Sequence, residues 1–226
     1  MTSIEGCPFF CSWSGGKDSS LALHHAIVSG GIPKALLTMM TEEGQRSRSH
    51  GLPVALIQRQ AMALGIPLIL RKASWNDYER TFSHALGELK ADGIDCGVFG
   101  DIDLAPNREW VERVCLAASI RAYEPLWQRA RHDLLDELLQ LGFEATIIAV
   151  KQSVLDSSFL GRTLDRRVIG ELADAGIDPS GEEGEYHTVV TNGPVFSCAI
   201  EIESRDQVVR DGYCFLDVWA MDPPRG

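Results

Sequence analysis

A chain of 226 residues, 45% of them apolar, has room for one sizeable domain or two small ones, each able to bury a core. Its 21 Lys and Arg against 32 Asp and Glu leave a formal net charge of −11, which disfavours generic nucleic-acid binding while allowing a local basic cleft. No run of about 18 apolar residues predicts a membrane span, and the start Met1 to Gly6 lacks the features of a secretory signal. The six cysteines (Cys7, Cys11, Cys96, Cys115, Cys198 and Cys214) form no Cys-x-x-Cys pair and read as free thiols in a reducing cytoplasm.

In chain order, the first predicted element is a buried strand, Phe9 to Trp13. From Asp18 a helix follows, with Leu21, Leu23, Ala26 and Ile27 at roughly helical spacing until Gly30-Gly31. Between them stands Ser14-Gly15-Gly16-Lys17-Asp18-Ser19. Gly15 and Gly16 allow backbone conformations that a side chain forbids. A Gly-rich turn at a helix N-terminus gathers free N–H groups and the positive dipole end, which makes an anion site. Ser14 and Ser19 add hydroxyls and Lys17 a compact positive charge, so nucleotide phosphates are the natural guest. The Walker spacing is absent, because one residue separates Ser14 from Gly16, and so is Gly-x-Gly-x-x-Gly. The alternative is a purely structural strand-to-helix turn.

Strand and helix then alternate. Ala35 to Met40 is a strand and Thr41 to Gly51 a polar loop, whose Arg46, Arg48 and His50 read as solvated residues, with a place over the cleft as the alternative. Leu52 to Leu64 is a helix, Pro67 to Leu70 a strand and Trp75 to Asp92 a helix. Cys96 to Gly100 is a strand running into Asp101, Pro106 opens another helix, and Tyr123 to Trp127 closes this half. Such alternation predicts a parallel sheet with right-handed crossovers, whose ligands lie beyond the C-terminal strand ends. Ser14 to Ser19, Thr38 and Met39, and the Gly100-Asp101 turn all fall at that edge. They are the candidate nucleotide-binding residues.

The pattern changes after Trp127. His132 to Leu141 is a helix, Ala145 to Val150 a strand and Leu164 to Ala175 a helix, with a loop from Gly176 to Gly184. Phe196, Cys198, Ile200 and Ile202 alternate on one side of a further strand, and Gln207 to Arg210 and Tyr213 to Trp219 read as strands too. The expected division is 1–129 and 130–226, the second a mixed α/β domain ending in antiparallel strands. Within it, Gly181-Glu182-Glu183-Gly184-Glu185-Tyr186-His187-Thr188 puts three carboxylates, a phenol, an imidazole and a hydroxyl in one short stretch. Taken alone, that is a solvated acidic loop. Paired with the phosphate loop, it reads as a site for a cationic or amino group, magnesium or a proton in transit.

The Ser14 to Ser19 loop resembles the PP-loop of ATP pyrophosphatases, which split ATP between its α and β phosphates. Together with Gly181 to Tyr186, and with Val98 to Ile102, Pro125 to Trp127 and Phe159 to Arg162 between them, the sequence resembles the diphthine–ammonia ligase family. The resemblance implies an α/β fold: a Rossmann-like, adenine-nucleotide alpha hydrolase-like parallel-sheet domain and a smaller mixed C-terminal domain. It implies a ligase that adenylates a carboxylate, releases pyrophosphate and lets ammonia displace AMP. Lys17, Asp18, Glu182 and Glu185 would be catalytic, and Ser14 to Ser19 with Thr38, Met39, Gly100 and Asp101 would hold ATP. Glu182, Glu185, Tyr186, His187 and Thr188 would meet the substrate, with simple packing as the alternative for Tyr186. Asp18 would meet magnesium or cap the helix. Ammonia and a carboxylate, either a modified elongation factor or a small corrinoid-like acid, are the implied partners, and a homodimer is allowed. In one departure, His187-Thr188 stands where archaeal and eukaryotic ligases tend to have Glu-Thr. Related bacterial proteins with His-Thr occur where no diphthamide is made, some linked to cobalamin salvage. The competing readings are hydrolysis with water as acceptor, a nonenzymatic ATP-binding regulator, and an RNA-modifying thiolase, for which paired cysteines and a basic face are missing.

Overall fold

Five short strands alternate with helices in the first part of the computed structural model, which describes residues 3–221. They are β1 (Pro8–Ser12), β2 (Ile32–Met40), β3 (Leu68–Lys72), β4 (Cys96–Val98) and β5 (Arg121–Tyr123). The intervening helices are α1 (Lys17–Val28), α2 (Val54–Leu64), α3 (Tyr78–Ala91) and α4 (Ala105–Ala117). All five strands pair parallel, in the order β3-β2-β1-β4-β5. This is the expected α/β sheet. The strand order reverses between β1 and β4, so the switch point where such sheets bind ligands lies beyond Ser12 and Val98.

After β5 come α5 (Arg131–Gln140), β6 (Glu144–Lys151), α6 (Arg166–Asp174), β7 (Tyr186–Asn192), β8 (Ile202–Arg210) and β9 (Tyr213–Ala220). The four strands form a second sheet, antiparallel, in the order β7-β6-β9-β8. β6 is buried from Ala145 to Val150. Asp211 and Gly212 both have positive φ, which matches the tight hairpin turn between β8 and β9. Two compact units result. The first holds residues up to Ser14, Asp18–Ser49 and Gly65–Ala130; the second holds Gly15–Lys17, His50–Leu64 and the chain from Arg131 on. The central residues of the phosphate loop and the whole of α2 thus count with the second unit. Among the described residues, no helix is long and apolar enough to cross a membrane.

Three sequence expectations need correction. The stretch from Gly181 to Thr188 is not loop throughout, because Tyr186 opens β7. The stretch 195–201 is not a strand: Ser197 N–H donates to Ala63 O and Ile200 N–H to Thr191 O, so its backbone bonds outside any ladder until β8 begins. Nor are all six cysteines free. Cys7 and Cys96 are bonded to each other, at the adjoining ends of the paired strands β1 and β4, while Cys11, Cys115, Cys198 and Cys214 are unbonded.

The first unit's core explains its strand–helix alternation. Phe10, Leu37 and Met39 from the sheet pack with Phe82, Leu86, Val111 and Ile120 in one buried cluster. Phe10 meets Phe99 edge-on at 5.8 Å between centroids, and Phe82 lies 5.1 Å from Trp110. Phe82 is 1% exposed. Truncating such a ring removes its transfer energy and leaves a cavity, a loss of about 3–5 kcal/mol. Phe82→Ala is therefore expected to lower unfolding free energy by that amount in urea titrations, and a loss below about 1 kcal/mol would contradict this core.

Candidate functional site

The loop after β1 is anchored from both sides in sequence. In the first unit, Trp13 N–H donates to Leu37 O at 2.8 Å and Trp13 O accepts the Thr38 hydroxyl at 2.8 Å. That hydroxyl is buried, and Met39 lies in the core cluster, so these two expected nucleotide residues have their side chains committed to packing. The hydroxyls of Ser14 and Ser19 are 3.0 Å apart, on either side of the turn. A Cβ on Gly100 would stand 2.8 Å from the Asp18 backbone and 3.0 Å from Ser19 N, so only glycine lets this backbone approach the first turn of α1.

Carboxylates gather on the same unit. Burial raises the Asp101 carboxyl, against a hydrogen bond from Asn107, and the charge of Asp18 raises it further. Burial likewise lifts Glu124 to about 7, opposed by Arg108 and reinforced by Asp101. Asp18 and Asp101 are hard oxygen donors that repel one another, which suits a magnesium ion in kind. Among the described residues no three acidic, histidine or cysteine side chains are disposed to hold a metal alone. Phosphate oxygens and water would have to complete its shell.

Gly15, Gly16 and Lys17 lie along β7. Gly15, at φ 81°, offers its carbonyl to Val190 N–H at 2.9 Å and to Gln60 Nε2 at 2.9 Å; the same Nε2 donates to Val190 O at 2.7 Å. Lys17 N–H donates to Thr188 Oγ1 at 3.1 Å. β7 is the outer strand of its sheet, and these bonds occupy backbone that would otherwise be an open edge. His50 completes the row. Its Nδ1 is 2.8 Å from Thr188 O, and because a carbonyl only accepts, Nδ1 carries the proton. Its ring lies against Gly16, where a Cβ would come within 2.2 Å of Cε1. His50 is thus a packed member of this site, not the solvated loop residue expected from sequence.

The late motif supplies the facing side. A Cβ on Gly181 would fall 2.8 Å from the Tyr186 ring, so the turn needs glycine. Tyr186 is buried and donates its hydroxyl to Pro179 O at 2.5 Å. Glu185 is 8% exposed, and its carboxylate accepts Glu183 N–H at 3.0 Å, within its own turn. Glu182 reaches out instead. Its Oε1 lies 3.6 Å from Lys17 Nζ, with side chains only 11% and 6% exposed, and that ammonium sits 5.9 Å from the Tyr186 ring. His187 stacks between His50 at 4.7 Å and Tyr213 at 5.6 Å. Burial lowers its pKa to about 3, helped by the charges of His50 and Lys17, so the ring is neutral.

The structure therefore brings together Gly15, Gly16, Lys17, Glu182, Tyr186, His187 and Thr188 in the second unit. Ser14, Asp18, Ser19, Gly100 and Asp101 stand in the first. Sequence reasoning missed Gln60, hidden in a helix read only for its apolar face, and Tyr213, read as the start of a strand. Arg48 is engaged elsewhere: its guanidinium donates to Ala73 O and lies over the Trp75 ring at 4.7 Å.

Comparison with known proteins adds relatives to this geometry. A family model described as the diphthamide synthase N-terminal domain matches residues 10–122, and one described as the diphthamide synthase C-terminal domain matches residues 130–220. The diphthine–ammonia ligase of Bos taurus is 34% identical over 231 residues, covering 91% of this chain and 86% of that protein. The one from Homo sapiens is 28% identical over 235 residues, with the same coverage of each. A solved structure described as a predicted subunit of tRNA methyltransferase from Methanocaldococcus jannaschii is 18% identical, with a TM-score of 0.48 over 83% of this chain and 98% of that one.

A neutral His187 has a consequence with a definite sign. Unfolded, it protonates near 6.5; folded, only near 3. Stability is then full above about 6.5 and falls as pH drops toward 3, by about 1.4 kcal/mol per pH unit for one such group. His187→Phe keeps a ring in the stack without the titration. Urea unfolding at a series of pH values is expected to show a shallower acid loss in that variant, whereas identical slopes would mean that the imidazole titrates normally.

Proposed function

Since the chain belongs to the diphthamide synthase family, we propose that it is an ATP-dependent carbon–nitrogen ligase, acting as its relatives named diphthine–ammonia ligase do. One observation carries the reading to particular residues. Lys17 is held twice by the late motif, its N–H on Thr188 Oγ1 and its ammonium against Glu182. The residue most suited to a phosphate is thereby tied to the residues most suited to an amine.

In the first step an oxygen of the substrate carboxylate attacks the α phosphorus of ATP. A new O–P bond forms, the bond to the β-phosphate oxygen breaks, and pyrophosphate leaves with the electron pair. In the second, ammonia attacks the acyl carbon, the bond to AMP breaks, and an amide and AMP remain. Ser14, Gly16, Lys17 and Ser19 stabilise the charge that builds on pyrophosphate. Preorganised donors of this kind are worth on the order of 10²–10³ in rate each. As phosphate oxygens take over Lys17, the Glu182 carboxylate is released from that ion pair, fit to hold ammonium and accept its proton. Asp18 and Asp101 would hold magnesium, which supplies charge neutralisation at the phosphates. We place the reaction in the cytoplasm, where ATP is at hand.

The carboxylate is the open choice. Diphthine follows from the relatives' names; a corrinoid-like acid is the second reading, resting on His187-Thr188 standing where the ligases tend to have Glu-Thr. A regulator that merely bound ATP would need only the loop, and would leave the burial of Glu182 against Lys17 without a role.

Turnover is expected to give AMP and pyrophosphate in equal amounts and to require both carboxylate and ammonia. Lys17→Ala should lower the rate by on the order of 10²–10³. Glu182→Gln and Glu185→Gln should depress ammonia-dependent turnover while calorimetry shows ATP binding largely intact. ADP as the sole product would remove the chain from this chemistry.

A further inference from the structure

We propose that Gln60 is a positioning residue for the phosphate loop: it fixes the peptide between Gly15 and Gly16 so that the Gly16 N–H is turned toward the leaving pyrophosphate. This rests on the loop reading above. Gln60 is a polar side chain on α2 that is completely buried. Both hydrogens of its amide nitrogen are in use, one on Gly15 O at 2.9 Å and one on Val190 O at 2.7 Å. The Gly15 carbonyl consequently receives two donors, Gln60 and Val190 N–H, and is drawn to β7 by both.

That direction determines the next one. No cis peptide occurs among the described residues, so the Gly15 carbonyl and the Gly16 N–H point to opposite sides of one planar unit. Holding the carbonyl at β7 turns the Gly16 N–H away from it. Lys17 N–H points the other way, onto Thr188 Oγ1. A peptide joining two glycines is also the one most able to flip, since neither residue has a Cβ to oppose it. A buried amide that bonds the carbonyl removes that freedom before a ligand arrives. No apolar side chain of the same size has a donor to do so, and a glutamate would set acceptor against acceptor.

The test uses the full chain with inorganic pyrophosphate as the probe. Gln60→Glu keeps the shape but replaces the amide NH2, and with it both donors, by an oxygen, and Gln60→Met keeps the length with no donor. Calorimetry on folded protein is expected to show about tenfold weaker pyrophosphate binding in each, the size of one lost hydrogen bond. Relative to wild type at each pH, the Glu variant should recover affinity as pH falls, because a protonated carboxyl regains one donor, whereas the Met variant should not. A role confined to packing would lower the melting temperature and leave both affinity and its pH dependence untouched, and that result overturns the proposal. Should neither variant fold, wild type decides. In ¹H–¹⁵N spectra the Gly16 amide proton is expected to move downfield with pyrophosphate while that of Lys17 stays, and an unmoved Gly16 overturns the proposal. Wild type that binds neither ATP nor pyrophosphate removes the loop reading itself; binding with unaffected variants removes only the role of Gln60.

Discussion

The carbonyl of Gly15, held by Val190 N–H and by Gln60, is the constraint from which the rest of the site follows. It draws the middle of an N-terminal loop onto a strand near the other end of the chain. It requires glycine at position 15, where φ is 81° and a Cβ would fall 2.6 Å from Gln60 Oε1. It requires glycine again at position 16, where the His50 ring occupies the space of a side chain. Lys17 then reaches Thr188 with its backbone and Glu182 with its ammonium. The glycines are there for close approach as much as for torsional freedom.

The electrostatics follow from burial. A lysine and a glutamate this well covered have each lost most of their hydration, and their ion pair offsets part of that cost. An anion arriving at Lys17 replaces one carboxylate with another negative group and releases Glu182 from that ion pair. In the first unit the charge of Asp18 adds to burial in raising Asp101, and that of Asp101 adds to burial in raising Glu124. An acidic chain is thus compatible with nucleotide binding: its net charge of −11 says little about the few residues around the loop.

Much of the first unit was legible in the sequence because its strands are apolar runs and its helices carry apolar faces, two periods that are hard to confuse. The phosphate loop and the late motif were legible as residue types. Their direct contact was not, since hydrogen bonds from Lys17 to Thr188 and from Gln60 to Gly15 leave no local pattern. β7 was hidden because it opens on Tyr186-His187-Thr188 immediately after a polar, Gly-rich turn. The stretch 195–201 misled in the opposite sense, with an alternating apolar pattern whose backbone bonds to loops. Cys7 and Cys96 are 89 residues apart, and only the pairing of β1 with β4 brings them together.

An experimental structure of the full chain with α,β-methylene ATP, whose α–β bridge cannot be cleaved, tests the account most directly. The account predicts β- and γ-phosphate oxygens within hydrogen-bond reach of Ser14, the Gly16 N–H and Ser19, with the Lys17 ammonium moved from Glu182 onto a phosphate. Nucleotide bound away from Ser14 to Ser19, with Lys17 still against Glu182, would contradict it.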